Sequence, residues 1–215
     1  SRRPTAQGRR LWYALGAVGL MLVIMGGLVV WLPWHRHVQA ITEIQRLGGH
    51  VEAVPVGPGW LRNTVGDEVM LGYDREERVD LANTQVTDAE MVHFQRLANL
   101  KGIDLSNTTV TDAGLENLKG LTKLKGLGLS YTQVTGAGLA HLKGLTNLWH
   151  LDLSNSQATD AGLVHVKALT NLQYVSLWAT QVTDTGLANL TGLTKLSNLF
   201  LSDTRVSDAG MVHLI

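Results

Sequence analysis

The chain contains no cysteine among its 215 residues. Disulfide frameworks, thiolate metal sites and cysteine nucleophiles are therefore excluded, while the redox compartment stays open, because an absent residue does not report on it. Net charge is missing as well, since 18 Lys and Arg balance 18 Asp and Glu. That zero is an average over unlike parts. The first ten residues, SRRPTAQGRR, carry four arginines and no acid, His35 to Arg78 holds five Arg against seven acids, and Val79 to Ile215 holds nine Lys or Arg against eleven acids. A basic tail is joined to a mildly acidic body. Such a body lacks the cationic surface that phosphate backbones require, which argues against nucleic acid as a partner. The chain opens without Met and stops at MVHLI, partway through a repeating pattern, as expected of a piece of a longer chain.

Charge is also absent from Leu11 to Leu32, LWYALGAVGLMLVIMGGLVVWL, a run of 22 residues. As a helix it would span about 33 Å, enough to cross a hydrocarbon core of about 30 Å. Trp12 and Tyr13 stand at one end and Trp31 and Trp34 at the other, where amphipathic rings prefer the headgroup zone. Pro33 stops the helix. The expectation is a basic cytoplasmic tail over 1–10 and a transmembrane helix over 11–34. Arg2, Arg3, Arg9 and Arg10 outweigh the single Arg36 beyond it, which places everything downstream outside the cytoplasm. A cleaved signal peptide fits less well, because the nearest small-residue site, Val38-Gln39-Ala40, lies beyond WLPWHRH. A buried core helix would rarely be apolar on every face. Gly16, Gly19, Gly26 and Gly27 do not form GxxxG, so nothing points to dimerisation through this segment.

From Val79 the chain repeats every 24 residues without insertion or deletion: VDLANTQVTDAEMVHFQRLANLKG, then units opening at Ile103, Leu127, Leu151 and Val175, and a shortened sixth at Leu199. Apolar residues fall at positions 1, 3, 8, 13, 16, 19 and 22 of a unit. The first part alternates with period two, as in Leu151 and Leu153, and predicts a short strand. The later part steps by three, as in Leu163, Val166, Leu169 and Leu172, and predicts a helical or near-helical return. Neither is stable without units above and below, so the pattern predicts a solenoid.

The repeat changes the meaning of its polar residues. Position 6 is a hydroxyl in every unit (Thr84, Thr108, Thr132, Ser156, Thr180, Thr204), where the chain leaves the strand and its backbone needs short polar partners. Position 9 is Thr or Ser throughout and is followed by Asp in five units of six, as suits an N-cap with an acid in the first turn. Gly136 breaks that pattern, and Thr87 with Glu90 forms a T-x-x-E capping box. His93, His141, His165 and His213 share position 15 and read as structural or solvated, one rung apart and too distant to share a metal.

The pattern L-x-x-L-x-L-x-x-T-x-V, seen as LWHLDLSNSQA from Leu148, resembles the leucine-rich-repeat family. The continuation T-D-A-G-L is similar to the 24-residue bacterial variant found in planctomycete proteins, related to ribonuclease-inhibitor-like repeats. Thr or Ser replaces the family's usual Asn or Cys at position 6, and Ala158 replaces Val at position 8. The resemblance covers Val79 to Ile215 and implies an α/β right-handed solenoid, with a concave parallel sheet and convex helices. The flank over 35–78 looks like the N-terminal cap that precedes such repeats. Val38, Ile41, Ile44 and Leu47 predict a helix ending at Gly48-Gly49, HVEAV a strand, and GWLRNTVGDEVM a short helix whose Trp60 and Leu61 pack on the first repeat. No equivalent cap follows Ile215, so Leu199, Leu201, Met211 and Leu214 are expected to line an exposed end.

Strand residues between the leucines point outward and are free to vary. The face so formed is small and acidic in its first half, with Asp104, and gathers His150, Tyr174, Trp178 and Phe200 in its second, beside Asp152, Ser154 and Ser176. These eight residues are the expected contact surface for a protein or peptide ligand. The alternative is that the rings shield the sheet near its open end. His150, Asp152 and Ser154 share one rung and contain the residue types of a hydrolase triad, but an open sheet supplies no water-excluding pocket and no G-x-S-x-G turn is present. His35 and His37 would not close a metal coordination sphere. The expected protein is non-enzymatic, without cofactor or metal. It is a single-pass membrane protein anchored through Leu11 to Trp34, recognising a protein or peptide with its sheet. It could instead be a structural envelope spacer without a ligand, or the recognition part of a larger signalling protein.

Overall fold

A computed structural model describes residues 38–54, 63 and 75–214. The expected basic tail and the Leu11 to Trp34 span lie outside the described residues, as do Trp60 and Leu61. Among the described residues no helix is long and apolar enough to cross a membrane.

A helix over 38–46 opens the described chain and sinks Ala40, Ile41 and Ile44 fully into the core. It ends at Gly48, whose φ of 86° is a backbone state that favours glycine. Strand β1 (His50–Val54) then runs antiparallel to β2 (Arg75–Asp80), with a bulge between Glu52 and Ala53. From β2 onward all pairing is parallel, through β3 (Gly102–Asp104), β4 (Gly126–Gly128), β5 (His150–Asp152), β6 (Tyr174–Ser176) and β7 (Asn198–Phe200). The seven strands lie in the sheet in chain order. Register advances by 24 residues per strand, so that Val79, Ile103, Leu127, Leu151, Val175 and Leu199 form one column.

The seven apolar positions of each unit do what their spacing predicts. In the fourth unit Leu151, Leu153, Ala158, Leu163, Val166, Leu169 and Leu172 are all within 1% of complete burial. Removing each of the Leu and Val side chains from water contributes about 1.5–3 kcal/mol before entropy is counted, and Ala158 less. In the sixth unit Leu199, Leu201 and Val206 are only partly buried, and Met211 and Leu214 are exposed, because no unit stacks on them among the described residues.

The return segments are less α-helical than the implied convex helices. Asp160–Val166 is an α-helix of seven residues, and Asp112–Leu115 and Asp184–Leu187 are single turns, whereas Glu90–Arg96, Gly138–Leu142 and Asp208–Leu214 are 3-10 helices. A buried side chain every third residue matches the three residues per turn of a 3-10 helix better than the 3.6 of an α-helix.

Each strand of the repeat is closed by a turn in which one carbonyl receives the position-6 hydroxyl, joined in the first, fourth, fifth and sixth units by the same residue's N–H. The Leu153 carbonyl accepts the Ser156 N–H at 3.2 Å and the Ser156 hydroxyl at 2.7 Å, and the hydroxyls of Thr84, Thr108, Thr132, Thr180 and Thr204 repeat the contact at 2.6–2.7 Å. The preceding residue adopts left-handed backbone in all six units: Asn83, Asn107, Tyr131, Asn155, Ala179 and Asp203 have φ between 51° and 61°. That state lets its N–H reach the next rung, as Tyr131 does to the Ser154 carbonyl at 2.9 Å.

The acid at position 10 works across units. Asp88, Asp112, Asp160 and Asp184 each accept the backbone N–H and the hydroxyl of the position-9 residue one unit later, at 2.5–2.8 Å. The carboxylate lies where a Cβ of the later unit's position 12 would stand, which is why Gly114, Gly138, Gly186 and Gly210 occur there. Gly136 interrupts the series, and it packs directly on Gly162. Thr159, which would have been its partner, is the position-9 residue whose side chain makes no cap bond, whereas Thr111 and Thr183 accept the N–H of Ala113 and Thr185. The carboxylate accepts the hydroxyl's hydrogen bond and so turns the oxygen lone pair toward the helix. The T-x-x-E box of the first unit forms from the glutamate side, with Glu90 accepting the Thr87 N–H at 2.9 Å.

Candidate functional site

The sheet places three rows of side chains on its solvent face. One row contains Arg78, Gly102, Gly126, His150, Tyr174 and Asn198, and the next contains Asp80, Asp104, Gly128, Asp152, Ser176 and Phe200. The third, just past the strands, includes Ser154 and Trp178. The eight expected contact residues therefore do share a face, but they divide into three environments.

The first is an aromatic cluster that runs diagonally from the first row to the second, with Trp149 beside it. His150 lies flat against Tyr174, with ring centres 4.3 Å apart and planes 12° apart; Tyr174 meets Phe200 at 5.1 Å, and Trp149 turns its edge to His150 at 5.6 Å. Trp149 and Phe200 are 44% and 45% exposed, so the cluster keeps large apolar area in water. Burial pushes the His150 imidazole below its ordinary value and the Tyr174 hydroxyl above its own. For His150 the Asp152 charge acts the other way and Arg78 reinforces burial, so His150 is neutral near pH 7.

The second is a buried polar knot, where the structure differs from the expectation of free contact residues. Ser154 and Ser176 are only 7% and 4% exposed. Their hydroxyls bond each other at 2.7 Å, and Ser154 also bonds the Asp152 carboxylate at 2.5 Å through its hydroxyl and 2.9 Å through its N–H. Large neighbours close over them, since Ser176 sits between Tyr174 and Trp178 along its strand and Trp178 is the next-rung counterpart of Ser154. Trp178 itself is held by its indole N–H on Asp203 at 2.8 Å and meets the Tyr131 ring at 6.2 Å. The Ser154 hydroxyl is thus engaged by Asp152 and Ser176, while His150 stacks on a tyrosine, an arrangement unlike a serine-histidine relay.

The third is a basin of about 610 Å³ in the first half of the face, floored by Gly102, Gly126 and Gly128. Arg78, Glu52 and Asp80 stand at one end, His150, Trp149 and Asp152 at the other, and Lys101 and Lys125 along one side. Arg78 lies across Gly102, its Nε 3.2 Å from where a Cβ would be, and Asp104 leans over Gly128. Asp104 is braced by the Ser106 N–H at 2.9 Å. Among the described residues no group of His, Asp and Glu could hold a metal ion.

Four features of this face were not among the expected site residues: Arg78, the glycine floor, Trp149 and Tyr131. Tyr131 had a signal, because Asn or Asp fills its position in four of six units and a tyrosine in a left-handed turn is an exception that asks for a reason. Trp149 had none, since its position varies freely.

The sequence matches no family model, and no curated protein matches it. Solved structures do match. An internalin from Listeria monocytogenes aligns with a TM-score of 0.56 and 25% identity over 63% of this chain and 38% of its own length, so the chain spans well under half of that protein. The leucine-rich-repeat ectodomain of the receptor kinase SOBIR1 from Arabidopsis thaliana aligns with a TM-score of 0.50 and 17% identity over 80% of this chain and 94% of that one. With these neighbours, the parallel sheet and its 24-residue register identify the architecture as that of leucine-rich-repeat proteins.

Proposed function

We propose that the chain is a non-enzymatic recognition protein that binds a protein or peptide on the solvent face of its sheet. In this reading the segment Leu11 to Trp34 holds it in a membrane, and the repeats lie outside the cytoplasm. The observation that carries the proposal is the packed cluster of Trp149, His150, Tyr174 and Phe200 on a rigid sheet, with Trp149 and Phe200 exposed and His150 and Tyr174 half-buried between them. Large exposed rings on a preordered surface supply contact area at small entropic cost, which is the composition of interface centres. The leucine-rich-repeat architecture of the structural neighbours supports an interaction module, and the uncharged 22-residue run with its arginine-rich flank supports the anchor.

Photo-crosslinking in intact cells tests the surface. A crosslinking amino acid at Phe200 is expected to capture a discrete protein partner, and the same group at Val164, exposed on the return side, is not. Equal capture from both positions, or none from Phe200, would favour a spacer whose surface is incidental. Protease added outside intact cells is expected to remove the repeats; full protection would reverse the orientation.

A further inference from the structure

The aromatic cluster ends abruptly at Gly126. Phe200, Tyr174 and His150 occupy successive rungs, with one face of His150 covered by Tyr174. On the other side the next rung carries no side chain, and nothing lies within 4 Å of where a Gly126 Cβ would stand. One rung further on, the Arg78 side chain lies over Gly102. Strands in a sheet are about 4.8 Å apart, so a planar group over Gly126 would sit about one strand spacing from His150 and one from the arginine. That is the separation at which His150 already stacks on Tyr174.

We propose that the gap over Gly126, between the Arg78 guanidinium and the open face of His150, is a slot for one aromatic side chain of a partner, a tryptophan or tyrosine. The inference rests on the recognition reading above and names the group recognised. The walls select for a π-system, since a guanidinium attracts the face of an aromatic ring and an imidazole stacks on it. Arg78, Lys101 and Lys125 border the basin and offset the pull of its carboxylates on a cation, so arginine and lysine gain no charge advantage there and lack the ring face that the walls recognise. The floor selects for a donor, because Asp104 leans over Gly128 at one side of the slot and Asp152 stands on the other. A ring with an N–H or O–H gives these carboxylates a partner when it displaces water, whereas phenylalanine desolvates them and returns nothing. Trp149 borders the same basin and meets the His150 ring edge-on at 5.6 Å.

Glycine at 126 otherwise has little to recommend it. Its backbone does not adopt the left-handed state, a side chain would meet no obstruction, and glycine inside a strand weakens it. An aromatic residue there would continue the cluster from within.

The test is a titration of the full 215-residue chain with capped pentapeptides, glycine at four positions and Trp, Tyr, Phe, Leu or Arg at the centre, followed by NMR at the Gly126 amide and the His150 ring protons. The Trp and Tyr peptides should cause saturable upfield shifts, the Phe peptide should bind about tenfold more weakly for want of a donor, and Leu and Arg should give no saturable shift. Gly126→Phe should fill the slot, melt no lower than the parent and abolish the Trp response. Gly120→Phe, at a glycine with equally open surroundings on the return side, should leave it intact. Arg78→Ala, at an exposed residue, should weaken Trp binding and keeps the idea testable if Gly126→Phe folds poorly. Equal binding of the Arg peptide, an unchanged Trp response in folded Gly126→Phe, or indifference to Arg78→Ala would overturn the slot. A crosslink from Phe200 that persists in Gly126→Phe together with any of these would sink the slot while leaving the recognition surface standing.

Discussion

Asp160 holds Thr183 by two bonds at once, accepting its backbone N–H at 2.8 Å and its hydroxyl at 2.6 Å from one whole unit away. The pair joins neighbouring rungs where the return segment begins, and the threonine oxygen also accepts the Thr185 N–H at 3.2 Å. Asp160→Ala removes the acceptor of a backbone N–H and frees the threonine. We expect a loss of about 1–3 kcal/mol in urea unfolding, with Asp160→Asn intermediate. A change below a few tenths would mean that the bonds are exchanged for water at no cost. At the counterpart Asp184, bonds from the Ser207 N–H and then its hydroxyl lower the carboxyl pKa. Its contribution is therefore full above the ordinary carboxylate range and is lost as pH falls through the lowered value.

Ala179 occupies a left-handed turn, φ 53°, where the equivalent residue is Asn in three other units. Left-handed backbone costs an ordinary L-residue about 1–2 kcal/mol, less for Asn and Asp. Ala179→Asn is expected to stabilise the chain by a few tenths to about 1 kcal/mol in thermal or urea unfolding. Tyr131→Asn should gain similarly while removing the ring that meets Trp178. Destabilisation by Ala179→Asn would show that the turn is set by something other than backbone preference.

His150 should make stability depend on pH. Its folded pKa is lowered from 6.5, first by burial, so the unfolded chain takes up a proton that the folded chain refuses. The stability it confers is full above about pH 6.5 and is lost as pH falls through the folded value. His150→Phe keeps a ring on the stack and removes the titration. Urea midpoints at about pH 7.5 and about pH 5.5 should therefore differ less in that variant than in the parent. An equal or larger difference would place the titration elsewhere.

Much of this fold was legible because it is written several times over. The columns at positions 1 and 3 announce the strand and the hydroxyl at position 6 announces the turn, and each is confirmed by its own copies in the other units. What escaped notice was whatever joins one copy to the next. Asp160 and Thr183 are 23 residues apart, and within a single unit the T-D pair looks like a cap followed by a first-turn acid. The glycine at position 12 carries no signal within its own unit, because its reason is the preceding unit's carboxylate, which occupies its side-chain space. The face was legible by alternation alone, and Tyr174 and Phe200 lie on it. Alternation cannot report depth, however, and Ser154 and Ser176 proved to be covered by the large rings beside them. The slot was hidden for the opposite reason: it is made by absent side chains at Gly102, Gly126 and Gly128, which carry no chemical signature of their own.

The central claim is that residues 79–214 are stacked, interchangeable rungs with a 24-residue period, and removing one rung tests it most directly. Deleting 127–150 would join Gly126 to Leu151, bring Asp112 opposite Thr159 and Gly162, and so replace the one interrupted acid–threonine step with a regular one. The shortened chain should fold, keep the parent's circular dichroism per residue and unfold in one cooperative transition with a smaller denaturant slope, while deletion of the half unit 127–138 should not fold. Loss of structure on removing the full rung, or equal tolerance of the half, would contradict the account.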